Sequence, residues 1–193
     1  MIIKNIANIL TLTRLFACFV IFAIYVSKYI YWAEVCFVLF VFAALSDYFD
    51  GYFARKHKAQ SNFGVCFDPI CDKIFVLAML ILLYNISSCG FFVLFLIVGR
   101  ELWVSGIREF LAPKNISMPV SKLAKYKTGF QMSAIGILLF YQSGVFQKLL
   151  YLNIYSSKFF DCLPILGTLA LYIATAITIY TGWLYTRVLI KYL

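Results

Sequence analysis

The sequence predicts an all-α fold: a polytopic membrane protein built as a bundle of six transmembrane helices. Composition is the first reason. Hydrophobic residues make up 64% of the 193 residues and charged residues only 13%, and mean hydropathy is +0.91. Such values belong to chains solvated by lipid, not to soluble domains that hide a core. The second reason is length. Six apolar stretches approach the roughly 20 residues that a helix needs to cross a hydrocarbon core of about 30 Å. The third is the distribution of Lys and Arg, which sorts cleanly to one side when six spans are drawn.

The spans expected are 8–25, 31–54, 68–86, 91–111, 123–141 and 163–188, all helical because backbone groups in lipid must bond within their own segment. The first starts like a targeting segment, but Arg14 interrupts it and no small-residue cleavage site follows. It is expected to stay as a helix. Tyr31 and Trp32 open the second at the outer interface, where aromatic belts form. That helix ends in Arg55-Lys56-His57-Lys58 before a short polar turn. Asp68 before Pro69 reads as an N-cap with proline at the first helical position of the third. Residues 146–160 form an outer connection.

With both termini on one side, that side collects Lys4, Arg14, Arg55, Lys56, Lys58, Lys73, Arg100, Arg108, Lys114, Lys122, Lys125, Lys127, Arg187 and Lys191, or 14 of the 17 basic residues. Lys28, Lys148 and Lys158 remain opposite. The rich side is therefore expected to be cytoplasmic. An odd number of spans would split the C-terminal charges from the rest. One domain, 1–193, is expected, since no linker, low-complexity tract or fixed-period repeat divides the chain. The net charge of +9 on an apolar protein suits anionic headgroups or phosphorylated substrates. Without a binding motif or stacking platform, nucleic acid is not an expected partner. The six cysteines are scattered, with no CxxC pair, and read as small buried hydrophobes, not as disulfides or zinc ligands.

Four of the 8 acidic residues lie in one short stretch: Asp47, Asp50, Asp68 and Asp72. Asp47 and Asp50 are i, i+3 on the second helix, and Asp68 and Asp72 are i, i+4 at the start of the third, so each pair shares a face. A short turn brings the two faces to one depth. Carboxylates near a bilayer are costly unless cations sit among them. A divalent-metal site, an ion path and a proton relay are the candidates. All-oxygen donors favour hard ions such as Mg²⁺ or Mn²⁺, with charge enough for two. Gly51, Ala54 and Gly64 leave room for a substrate or another helix to approach the backbone, and Arg55 offers a fork for phosphate. Together these favour phosphoryl transfer. Singly, each has a plainer reading: an aspartate at a helix end as a solvated cap, small residues as packing. His57, in a basic turn, reads as a solvated side chain.

These residues reproduce the D-x2-D-G-x2-A-R-x8-G-x3-D-x3-D pattern of the CDP-alcohol phosphatidyltransferases at every fixed position. The resemblance implies six transmembrane helices, a homodimer, a metal site open to the cytoplasm, CDP-diacylglycerol as donor and CMP as product. It implies Asp47, Asp50, Asp68 and Asp72 as metal ligands, Asp72 also as candidate general base, and Gly51, Ala54, Arg55 and Gly64 lining the CDP pocket. Whether Asp72 removes a proton or only holds metal stays open.

Three further segments resemble the bacterial phosphatidylglycerophosphate synthases. They are Asn8-Ile-Leu-Thr11-Leu-Thr13-Arg14, then Gly99-Arg100-Glu101 with Ser105-Gly-Ile-Arg108-Glu109, and the run from Val120 to Thr128 that holds Lys125 and Lys127. The match extends from about residue 5 to about residue 132, and the last third is generic. Thr11, Arg14, Arg100, Arg108, Lys125 and Lys127 become candidate acceptor ligands. Arg100 and Arg108 are two turns apart, with Lys125 and Lys127 arriving from the next helix. That surplus of cation suits an acceptor carrying its own phosphate, sn-glycerol 3-phosphate, better than a neutral one. The plainer readings are positive-inside bias, and ion pairing of Arg100 or Arg108 with Glu101 or Glu109. Other acceptors (phosphatidylglycerol, inositol phosphate or serine) and, from another class, an ion-coupled transporter are the alternatives. A transporter site would be expected at mid-bilayer, between inverted repeats. Neither feature is visible.

Overall fold

The structure, a computed structural model, describes the backbone of residues 2–57, 62–114, 116, 122–144 and 157–192, and within them the side chains of 12–46, 67–114, 116, 123–144 and 161–192. Among the described residues there are six α-helices and no strand. They are α1 (Ile2–Val26), α2 (Trp32–His57), α3 (Asn62–Asn85), α4 (Phe91–Leu111), α5 (Lys122–Gln142) and α6 (Ser157–Ile190), with a 3-10 turn at Ala112–Lys114 after α4. The outer connection at 146–160, His57 as a side chain and Cys66 lie wholly or largely outside the described residues.

Two tight turns set the antiparallel arrangement. Lys28 adopts φ 52° after α1, and Ser87 adopts φ 57° after α3. At the second, Ser88 N–H donates to Leu83 O at 2.9 Å and Ser87 N–H to Tyr84 O at 3.0 Å. That is a Schellman closure with serine in the left-handed position where glycine is usual. The helices then pack α1 against α2 and α3, α2 against α5, α5 along α6, and α4 against α6. Ile21, Cys36, Phe40, Phe75, Met79, Leu83, Ile97, Ile135 and Leu139 fill the centre, where the Phe40 and Phe75 rings stack at 5.9 Å. Close approach of α5 and α6 depends on Gly167, since a Cβ there would lie 2.8 Å from Leu138 Cγ.

Beside this apolar centre the bundle buries several polar residues and turns many large apolar ones outward. Arg14, Ser46, Lys127, Gln131, Ser143, Thr175, Thr178 and Thr181 are buried, while Phe16, Phe19, Phe42, Phe92, Leu102 and Ile165 are exposed. A water-soluble protein cannot carry that much outward apolar surface without aggregating, and lipid as the solvent removes the conflict. Among the described residues, Asp161–Ile190 is long and apolar enough to cross a bilayer, and Leu12–Val26 and Trp32–Ser46 are shorter apolar stretches. The protein is a membrane protein of all-helical fold.

Three helices start about six residues earlier than expected, the first of them α1, which begins at Ile2 and not at residue 8. α3 begins at Asn62, so Asp68 and Pro69 lie inside it and Asp68 is not its cap. Pro69 deprives only the Val65 carbonyl of its helical donor, and near a helix start beside the interface water can satisfy that group. α6 begins at Ser157 and contains Pro164. At 1.5 Å per residue its 34 residues extend about 51 Å, so it tilts or stands beyond a hydrocarbon core of about 30 Å. Cys18, Cys36, Cys71 and Cys89 are free and buried, as small apolar residues would be, whereas Cys162 is exposed. Burial pushes the Cys89 thiol, in the α3–α4 connection, up to about 11, which leaves it unreactive.

Candidate functional site

Continuous helix carries the aspartates. α2 runs unbroken through Asp47, Asp50, Gly51, Ala54 and Arg55, and α3 through Gly64, Asp68 and Asp72. The side chains of Asp47, Asp50, Gly51, Ala54, Arg55 and Gly64, and of Thr11 on α1, lie outside the described ones. Asp68 and Asp72 are described. They sit one turn apart on α3, both partly exposed.

Arg14 of α1 donates from Nη1 to Asp72 Oδ1. The Arg14 side chain is 4% exposed and that of Asp72 47%, so a buried guanidinium steadies a carboxylate that still faces outward. A charge-assisted bond of this kind fixes the direction of the acid. It also puts Arg14, expected at the acceptor, on the candidate base. Among the described residues no three Asp, Glu, His or Cys side chains gather as a metal cage, two of the four carboxylates lying outside them. The chemistry of the described pair fits a hard divalent ion: aspartate oxygens on one helix face, open on one side.

Asp72 is followed by Lys73, which begins a second polar cluster. Lys73 Nζ donates to Ser105 Oγ of α4, and Ser105 Oγ donates to the Glu101 carbonyl at 2.9 Å. The Glu101 carboxylate accepts from Arg100 Nη1 at 2.9 Å and from Lys127 Nζ of α5. Arg100 Nη2 donates to Thr181 Oγ1 of α6 at 3.0 Å. Arg108 Nη2 donates to the Tyr185 hydroxyl of α6 at 3.4 Å. Four helices thus contribute to one linked set of polar groups, in which Arg100 and Lys127 share the Glu101 carboxylate, Lys73 joins through Ser105 and Arg108 through Tyr185.

Of the acceptor candidates, Arg100, Arg108 and Lys127 come together. Lys125 does not, since it lies two positions before Lys127, on the opposite side of the helix, and is exposed. Arg100 pairs with Glu101, as its position in sequence allowed, whereas Arg108 reaches Tyr185 and not Glu109. Thr181 and Tyr185 were absent from the sequence reading, and Lys73 and Ser105 appeared in it only as a basic residue of the rich side and as part of a family-like segment. A signal existed for two of them: Thr175, Thr178, Thr181 and Tyr185 recur every three or four residues, a polar stripe along an otherwise apolar helix.

Comparison with known proteins agrees in extent with this arrangement. A protein called CDP-diacylglycerol--glycerol-3-phosphate 3-phosphatidyltransferase in Rickettsia felis is 38% identical over 190 residues, covering 98% of this chain and 97% of its own. A protein of the same name from Cereibacter sphaeroides is 36% identical, again over 98% of this chain and 97% of its own. Another from Bacillus subtilis is 34% identical over 77% of this chain and 69% of its own. The model of the family described as CDP-alcohol phosphatidyltransferase matches residues 4–186. All six helices fall within or overlap that match, and the chain belongs to the CDP-alcohol phosphatidyltransferase family.

Proposed function

We propose that this chain transfers the phosphatidyl group of CDP-diacylglycerol to sn-glycerol 3-phosphate, forming phosphatidylglycerol phosphate and CMP. The relatives' shared name supports it, and one observation in this chain carries it: Arg100 and Lys127 share the single carboxylate of Glu101, Lys73, one residue after Asp72, joins the same turn of α4 through Ser105, and Arg108 meets Arg100 at the Tyr185 ring. A neutral acceptor would leave that excess of positive charge uncompensated. An acceptor phosphate offsets it.

Asp47, Asp50, Asp68 and Asp72 are the residues that would hold one or two divalent ions, Mg²⁺ or Mn²⁺. Bound there, such ions would offset the pyrophosphate charge and make CMP a better leaving group. Gly51, Ala54, Arg55 and Gly64 line the CDP pocket in this reading. Arg14 orients Asp72. The acceptor hydroxyl attacks the β-phosphorus as Asp72 takes its proton, and the bond from that phosphorus to the bridging oxygen breaks, its electron pair leaving with CMP. Arg100, Arg108 and Lys127 hold the acceptor's phosphate, with Thr11 and Lys125 at the edge of the site. The enzyme works as a homodimer in the bacterial inner membrane, with both termini and the site cytoplasmic. The asymmetry of Lys and Arg supports that orientation.

Membranes containing the chain, given labelled CDP-diacylglycerol, Mg²⁺ or Mn²⁺ and one acceptor at a time, supply the test. Labelled phosphatidylglycerol phosphate should appear with glycerol 3-phosphate. A labelled product formed only with phosphatidylglycerol, inositol phosphate or serine would reassign the acceptor, and cation flux without CMP release would replace the enzyme with a transporter.

A further inference from the structure

Tyr185 lies outside every motif above, yet it touches both arginines of the cation cluster. Its ring is 7% exposed and packs with Val104, Ile107 and Leu111 of α4. The guanidinium carbon of Arg100 lies 5.6 Å from the ring centroid, and that of Arg108 lies 5.4 Å from it. Along α4 the two arginines are separated by about 12 Å of helix rise, and both turn toward this one ring.

Two guanidinium groups drawn together repel each other, so something must offset the repulsion. A carboxylate would do so by cancelling the charge. The π face of a tyrosine attracts cations without cancelling them, and so leaves the pair electropositive. Each guanidinium has five N–H donors. Arg108 directs one at the Tyr185 hydroxyl, and no carboxylate pairs with it among the described residues. Arg100 is braced by Glu101 and Thr181, and its Nε is buried without a hydrogen-bond partner. A buried donor of that kind is costly until an acceptor arrives.

We propose that Tyr185 is a positioning residue, holding Arg100 and Arg108 as a two-pronged fork for the phosphate of the acceptor. The proposal rests on the reading that glycerol 3-phosphate is that acceptor. α6, the part of the chain with no recognisable motif, would then set how tightly the acceptor is bound.

Steady-state kinetics with both substrates varied, on Tyr185→Leu and Tyr185→Phe, tests it. Loss of the ring in Tyr185→Leu should raise the apparent KM for glycerol 3-phosphate about tenfold, with kcat and the KM for CDP-diacylglycerol within about twofold. Tyr185→Phe keeps the π face and should stay within about threefold of the parent. Should Tyr185→Leu fail to accumulate in the membrane, Tyr185→Met, which fills similar space without a π face, takes its place with the same expected result. An unchanged KM for glycerol 3-phosphate in the ringless variant would overturn the proposal, as would an equal rise for both substrates, or a Tyr185→Phe variant as impaired as the ringless one. Failure of the underlying reading is separate: the unsubstituted chain would then make no phosphatidylglycerol phosphate from glycerol 3-phosphate.

Discussion

The two polar clusters in this bundle are neighbours with opposite charge balance. Around Asp68 and Asp72 the described charges are two carboxylates and Arg14, and α2 brings Asp47 and Asp50 along the chain toward the same end. In the second, one carboxylate, Glu101, meets Arg100 and Lys127, with Lys73 linked through Ser105 and Arg108 through Tyr185. Neither is neutral within itself. In the proposed function the first would be completed by metal ions and the second by the acceptor's phosphate, and consecutive residues of α3, Asp72 and Lys73, join them. A two-substrate transfer needs such a division: one pole where a charged leaving group is held through metal, another where the acceptor's phosphate docks.

The largest effect should come from the anionic pole. Asp68→Asn removes a ligand charge, and turnover in a CMP-release assay should fall at least about a hundredfold while the protein still inserts. Asp47→Asn should behave alike. Full activity in both would place the donor elsewhere.

At the cationic pole, Glu101→Gln would leave Arg100 and Lys127, both largely buried, without their shared counter-charge. We expect about 3 kcal/mol of lost stability, read as a lower unfolding temperature in detergent. No change would mean that water, not Glu101, compensates these cations. A smaller and more selective effect should separate the two lysines of α5. Lys127→Ala should raise the apparent KM for glycerol 3-phosphate about tenfold, and Lys125→Ala less than about twofold. Equal effects would show that the outward-facing lysine belongs to the pole after all. The smallest change should be Gly182→Ala, whose Cβ would lie 3.0 Å from Arg100 Cγ. A two- to threefold rise in the same KM is expected, because the Arg100 stem can shift by only a few tenths of an ångström before losing Thr181.

The two poles were not equally legible in the sequence. Helix positions followed from apolar length: α4 was expected at 91–111 and occupies Phe91–Leu111. The start of α3 was missed because Asp68-Pro69 looks like a boundary, whereas a helix whose surroundings re-satisfy one carbonyl accommodates proline; those of α1 and α6 were missed because apolar length marks the part in lipid and not the turns of helix beyond it. At the anionic pole the spacing within each aspartate pair, i+3 and i+4, was readable because it is local, and of the four only Asp68 and Asp72 have described side chains. Arg14 reaching Asp72 from α1, and Tyr185 reaching Arg100 and Arg108 from α6, depend on helices 58 and 77 residues away in sequence. Periodicity marks a polar stripe on α6 but does not say which neighbour it meets. Only the packing of α4 against α6 reveals that.

Paramagnetic relaxation measures the neighbouring poles most directly. With Mn²⁺ bound to the detergent-solubilised protein, the phosphorus resonance of added glycerol 3-phosphate should broaden strongly. That broadening should disappear in Asp68→Asn, which loses the metal, and in Lys127→Ala, which loosens the phosphate. A phosphorus signal that Mn²⁺ leaves sharp in the intact protein, or that broadens equally in all three, would contradict an acceptor phosphate docked beside a carboxylate-held ion.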